Sequence, residues 1–130
     1  INVELETMEW PILAGRIQKG DYQLGYLAWT ADYNDPSAML SLFKTNAGAV
    51  NTGWASADYD KLVDEAAVEK DTAKATELYK EADKMLVDQS VVIPLIGAST
   101  NSYYYDYVKG VTFSDFTSTG FKTIDTSARP

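Results

Sequence analysis

One stretch of the sequence gathers side chains able to do chemistry. Ala28-Trp-Thr-Ala-Asp-Tyr-Asn-Asp-Pro36 places a large aromatic, Trp29, three residues ahead of a carboxylate, Asp32, with a second carboxylate, Asp35, just before a proline. Asp and Glu are the only acid–base groups of moderate pKa available, because the chain has no His and no Cys. That absence removes thiolate nucleophiles, imidazole bases, disulfides and nearly all zinc or haem chemistry. A pair of carboxyls about 5–5.5 Å apart would suit a retaining glycoside hydrolase. Asp35 ahead of Pro36 instead reads as the N-cap and N1 pair of a helix, which commits it to backbone. Asp32 is itself compatible with plain turn chemistry, since Asp-x-Asn-Asp-Pro opens loops in many proteins. A calcium loop is excluded: with Asp32 and Asn34 at positions one and three, position six is Ser37 rather than Gly and position twelve is Phe43 rather than Glu.

Composition bounds the rest. The chain has 130 residues, 45% of them hydrophobic, enough for one modest domain with a core. Its net charge of −8 repels phosphate backbones, so nucleic acid is not an expected partner. Apolar runs such as Val91–Gly97 are too short to span a bilayer. No signal-peptide pattern precedes the first structured segment, and Ile1–Glu9 reads directly as a strand, as an excised piece would.

The elements that must position Asp32 and Trp29 follow from periodicity. Asn2–Glu9 alternates, with Val3 and Leu5 on one face and Glu4 and Glu6 on the other, which predicts a half-buried strand. Pro11 opens a short helix that closes at Gly20. Tyr22–Trp29 reads as an interior strand, and Pro36–Phe43 as a helix. Lys44–Ala55 reads as a loop. Two stronger helices carry apolar stripes: Tyr59, Leu62, Val63, Ala66 and Ala67 on one, and Ala75, Leu78, Tyr79, Ala82, Met85 and Leu86 on the other. Asp71 or Thr72 caps the second. Val91–Ala98, interrupted by Pro94, suits a strand edge, a bulge or a crossover. Ser102–Val108, with four tyrosines, reads as a strand, and Gly120–Ile124 as a last one. The order β-α-β-α-α-α-β-β is an α/β pattern.

The stretch Ala28–Pro36 resembles the signature of the oligopeptide/dipeptide-binding family of extracellular solute-binding proteins. Further pieces match in order: Met8-Glu-Trp10, Gly20-Asp-Tyr-Gln-Leu24, Asn51, Tyr59-Asp60, Ala73–Asp88 with Leu78-Tyr79 and Ala82, Val92-Ile-Pro94 and Val108-Lys-Gly110. The resemblance implies part of one lobe of a two-lobed periplasmic-binding-protein-like fold, from the last quarter of a full-length member. Residues 1–98 would be the later part of the second lobe, and residues 99–130 a segment returning to the first. It implies a binding module and no enzyme, with no cofactor. Asp32 would take the α-ammonium of a peptide. Ala28, Trp29 and Thr30 would present backbone to the peptide main chain, and Trp29 would also wall a side-chain pocket. Tyr26 and Leu27 stand where some members carry a basic residue near the ligand carboxylate, so peptide length and carboxylate capture are not given. The implied partners are a peptide and the membrane permease subunits of an ATP-driven importer. The implied location is the extracellular face of the membrane or the periplasm, with a lipid anchor in the full-length protein. Unpaired strands could also join two copies of the chain. An alternative is a carbohydrate-binding or carboxylate-based glycan-active module built from Trp29, Asp32 and the tyrosines Tyr103, Tyr104, Tyr105 and Tyr107.

Overall fold

The structure is a computed structural model, and it describes residues 2–97, 99, 101–112 and 121–130. Its centre is a helical hairpin. Helix α3 (Ala57–Val68) begins where Ser56, in extended conformation, accepts a hydrogen bond from the Tyr59 N–H. Helix α4 (Thr72–Asp88) begins where the Asp71 carboxylate accepts from the N–H groups of Ala73 and Lys74. Each cap satisfies donors that the first helical turn leaves without intrahelical partners. Three residues, Glu69–Asp71, separate the two helices, so they pack as antiparallel neighbours.

The stripes read from the sequence meet at this interface. Tyr59, Val63 and Ala66 of α3 and Tyr79, Ala82 and Leu86 of α4 are buried together with Leu40. Small residues at Ala66 and Ala82 let the helices approach, while Leu62, Leu78 and Met85 flank the seam. Trp54 meets Tyr59 edge to face at 5.1 Å, and the Trp54 indole N–H donates to Gln89 Oε1 at 2.9 Å. The loop before α3 is thereby tied to the end of α4.

One short helix leans on the hairpin, and another is held by the loop around Asn51. Helix α2 (Ser37–Leu40) continues as a 3₁₀ turn over Ser41–Phe43, and together they fill the predicted helical span. Leu40 enters the core, and its carbonyl accepts from the buried Tyr59 hydroxyl at 2.6 Å. Helix α1 (Trp10–Lys19) opens with Pro11 in its first turn and stops at Gly20, whose φ of 70° closes the last turn through its N–H. A Cβ at Gly20 would sit 3.2 Å from Asn51 Nδ2 in a backbone conformation that side chains rarely adopt. Asn51 holds this end of α1: its N–H donates to the Ile17 carbonyl at 3.2 Å, and its own carbonyl accepts from the Tyr22 hydroxyl at 2.8 Å.

The strands are where expectation and structure part. Among the described residues there is no β-ladder, only a single antiparallel bridge between Lys109 and Asp125. Val3 is 81% and Leu5 89% exposed, so Asn2–Glu9 is not the half-buried strand its alternation predicts. Tyr22–Trp29 is not interior: it bends at Gln23–Leu24, and Leu24 and Tyr26 face solvent. Val91 and Val92 pack against the hairpin, but Ile93, Leu95 and Ile96 are exposed and form no strand. Tyr103, Tyr104 and Tyr105 are exposed as well, although Tyr105 stacks on Tyr107 at 5.2 Å. Residues Phe121–Thr123 form a 3₁₀ turn in place of a strand. Alternation specifies which face a strand would bury, but a strand exists only where a neighbour completes its hydrogen bonds. No described segment supplies that neighbour. The start of the Gly120–Ile124 reading and residues 113–119 lie outside the described residues, as do Ala98 and Thr100 beside the expected crossover.

Candidate ligand-binding loop

The four residues that the resemblance implies as ligand contacts lie on one connected segment leading into α2. Ala28, Trp29 and Thr30 are exposed, Trp29 at 39%, and Asp32 follows in a bend that runs to Asp35. At that exposure Trp29 is not a core residue. None of the four makes a hydrogen bond or ion pair with another described residue, so the backbone groups of residues 28–30 and the Asp32 carboxylate are open to solvent.

The neighbouring carboxylate is spent differently. Asp35 Oδ1 accepts from the Ser37 N–H at 2.9 Å and from the Tyr79 hydroxyl at 3.0 Å. Its main-chain carbonyl accepts from Ala38 N–H at 3.0 Å, and its own N–H donates to the Tyr33 carbonyl at 2.9 Å. Hydrogen bonds from Ser37, with a smaller contribution from Tyr79, hold the Asp35 carboxyl below its usual range. Burial pushes the Tyr79 hydroxyl up, and the Asp35 contact adds to this, so the phenol stays protonated and donates. Tyr33 completes the group, its hydroxyl 3.1 Å from Ser37 Oγ. Two carboxylates three residues apart thus divide their work: Asp35 fixes the entry to α2, and Asp32 is left uncommitted. The helix starts one residue later than expected, with Pro36 as its N-cap, yet Asp35 still bonds the Ser37 N–H at its entry, which keeps it from serving as a second acid beside Asp32.

The Tyr79 contact had a sequence signal that stripe counting passes over. A tyrosine on an apolar helix face brings a polar tip that must find a partner when buried. Its partner lies 44 residues away, which no local pattern shows.

Two surface hollows lie elsewhere. One, of about 420 Å³, sits at the α3–α4 turn between Glu65, Glu69 and Lys70 over Val68 and Leu78. The other, of about 360 Å³, is enclosed by the loop after Phe43, with Lys44, Asn46, Asn51 and Trp54 on its rim. Lys44 there is paired with Asp64 at 2.5 Å. Neither hollow is lined by Ala28, Trp29, Thr30 or Asp32, so the segment bearing those residues stands as an open surface.

No family model matches the chain. Individual proteins do. It is 33% identical over 112 residues to the oligopeptide-binding protein OppA of Bacillus subtilis (strain 168), an alignment covering 85% of this chain and 21% of that protein. The chain belongs with the oligopeptide- and dipeptide-binding proteins. The dipeptide-binding protein DppE of the same organism is 28% identical over 85% of this chain and 20% of its own length. A probable deoxycholate-binding periplasmic protein, YgiS, of Escherichia coli (strain K12) is 32% identical over 82% of this chain and 19% of its own length. The chain therefore spans about a fifth of the length of these binding proteins. Among the described residues no helix is long and apolar enough to cross a membrane.

Proposed function

We propose that this chain is the segment of a peptide-binding protein that recognises the peptide amino terminus, with Asp32 accepting from the α-ammonium. The observation that carries the proposal is the contrast within one loop. Asp35 is held by Ser37 and Tyr79, while Asp32, three residues earlier, is exposed and has no partner among the described residues. Every free peptide carries an ammonium whatever its sequence, and a desolvated carboxylate binds it through a short, charge-assisted hydrogen bond. The open backbone of Ala28–Thr30 suits main-chain hydrogen bonding of the kind that adds a strand, which ignores side-chain identity. The exposed Trp29 offers an apolar wall for a ligand side chain.

On this reading, residues 1–98 belong to one ligand-binding lobe and residues 99–130 to a segment that returns to the other. The other lobe closes over the peptide and removes the water that screens Asp32 in the open surface. The unpaired apolar segments at Val3–Leu5, Leu24–Tyr26 and Ile93–Ile96 then find their strand neighbours in the rest of the protein. The bound peptide is handed to the permease subunits of an ATP-driven importer, on the extracellular or periplasmic side of the membrane. A relative named for deoxycholate, which has no ammonium, makes the amine contact the discriminating point.

Calorimetry on the full-length protein tests the proposal. Asp32→Asn weakens binding of free tripeptides by about 2–5 kcal/mol, the cost of leaving one member of a buried charge pair alone. N-acetylated tripeptides, which lack the charge, lose far less. Equal losses for the two peptide forms would remove Asp32 from this role.

A further inference from the structure

The loop bearing Asp32 is held only in part by local bonds, Asp35 N–H to the Tyr33 carbonyl and the Tyr33 hydroxyl against Ser37 Oγ. Residues 32–35 form a bend, and helix α2 that follows has one turn, too short to be stable alone. Both ends of α2 are instead tied by tyrosine hydroxyls from the helical hairpin. At the far end, Tyr59 of α3 reaches the Leu40 carbonyl at 2.6 Å. At the end facing the loop, Tyr79 of α4 reaches Asp35 Oδ1 at 3.0 Å. The Tyr79 side chain is buried among core residues, so its hydroxyl is presented from a rigid support. The oxygen it meets is the same one that caps the Ser37 N–H at 2.9 Å, so one bond fixes both the helix entry and the loop.

We infer that Tyr79 is a positioning residue for ligand recognition: its hydroxyl, acting through Asp35, sets the orientation in which the loop offers the Asp32 carboxylate to a peptide ammonium. This rests on the amine-binding role proposed for Asp32. The geometry gives each tyrosine a different task. Tyr59 lies at the end of α2 away from the loop and is wholly enclosed, so its hydroxyl serves stability. The Tyr79–Asp35 bond is part-buried, with Asp35 itself exposed, so it contributes less to stability than the enclosed Tyr59 bond. What it restricts is the loop. A hydrogen bond between an ionised carboxylate and a phenol is directional, and losing it frees the bend between Asp32 and Asp35 to rotate. Positioned charge pairs lose strength quickly when their geometry drifts, because the open carboxylate is then solvated in place of being aimed.

Tyr79→Phe in the full-length protein keeps the ring and deletes only the hydroxyl. The readout is the ratio of affinities for a free tripeptide and its N-acetylated form, measured by calorimetry, with thermal unfolding of each variant alongside. Tyr79→Phe is expected to reduce affinity for the free tripeptide by about fivefold to tenfold, as loss of one hydrogen bond to a charged group would, while the acetylated peptide changes by less than about twofold. Its unfolding temperature stays close to that of the wild type. Tyr59→Phe is expected to do the opposite: a lower unfolding temperature with the affinity ratio retained. Equal loss for both peptides in Tyr79→Phe, or an unchanged ratio, overturns the inference while leaving Asp32 in its role, provided Asp32→Asn collapses the ratio. A ratio that survives Asp32→Asn removes the amine-binding reading, and this inference with it.

Discussion

Removing one oxygen at Tyr59 measures how firmly the hairpin holds α2, and the same oxygen supplies a pH dependence of known sign. The Tyr59 side chain is 0% exposed, and its hydroxyl donates to the Leu40 carbonyl at 2.6 Å. In Tyr59→Phe the ring remains against Trp54, while a buried carbonyl loses this donor. A buried acceptor left unpaired costs about 1–3 kcal/mol, so a loss of about 2 kcal/mol is expected at neutral pH. The alkaline limb carries the sign. Burial, helped by the negative charges of Asp60 and Asp83, pushes the Tyr59 hydroxyl well above its ordinary value of 10.0. The folded protein therefore keeps this proton at a pH where the unfolded chain releases it. The contribution is fully present below pH 10 and is lost as pH rises from there toward the folded value, at up to about 1.4 kcal/mol per pH unit. Urea unfolding of wild type and variant, run from about pH 7 to about pH 11.5, gives the difference directly. Contributions common to both proteins cancel in the difference. The difference should hold near 2 kcal/mol up to about pH 9.5 and close within about one and a half units above 10. A difference near zero at pH 7, or one that stays constant through the alkaline range, refutes the buried hydrogen bond.

Two further expectations concern the helix entries. Asp71→Ala removes the acceptor for the Ala73 and Lys74 N–H groups and should lower stability by about 1 kcal/mol, read by urea unfolding at neutral pH. An unchanged midpoint would mean that water replaces the cap without cost. The Asp35 carboxyl is held below its ordinary 3.8, so its cap is present above that value and is lost as pH falls through the lower, folded value. The Ser37 amide resonance should therefore titrate with a midpoint below 3.8. A midpoint at or above 3.8 would break the link between this hydrogen bond and the loop.

The helices were legible because their signals are local. Pro11 and Gly20 bracket α1, Asp71 caps α4, and the stripes from Tyr59 to Ala66 and from Leu78 to Leu86 name the core almost residue by residue. Ala67 and Ala75, at the outer ends of the two stripes, are the exceptions: Ala75 is only half-buried and outside the core, and Ala67 turns out to solvent, since a stripe read at i+8 has drifted off the contact face. The strands were not legible in the same sense. The alternation of Val3 and Leu5 is real, but it describes a surface waiting for a neighbour, and strand pairing is a long-range property. The chain covers about a fifth of its relatives, and the described residues hold one bridge in place of a sheet. At the candidate site, the Asp-Pro pair placed Asp35 at the entry of α2, where it accepts from the Ser37 N–H, because that pair has a local structural meaning. The support beneath it was out of reach, because Tyr79 meets Asp35 across 44 positions of sequence.

The central claim is that Asp32 receives the peptide amino terminus. The most direct measurement is a crystal structure of the full-length protein with a bound tripeptide. The account predicts the ligand ammonium at about 2.7–2.9 Å from an Asp32 carboxylate oxygen, the distance of a charge-assisted hydrogen bond. It also predicts peptide main-chain hydrogen bonds along Ala28–Thr30. A tripeptide whose ammonium is met by another group, with Asp32 still facing solvent, would contradict it.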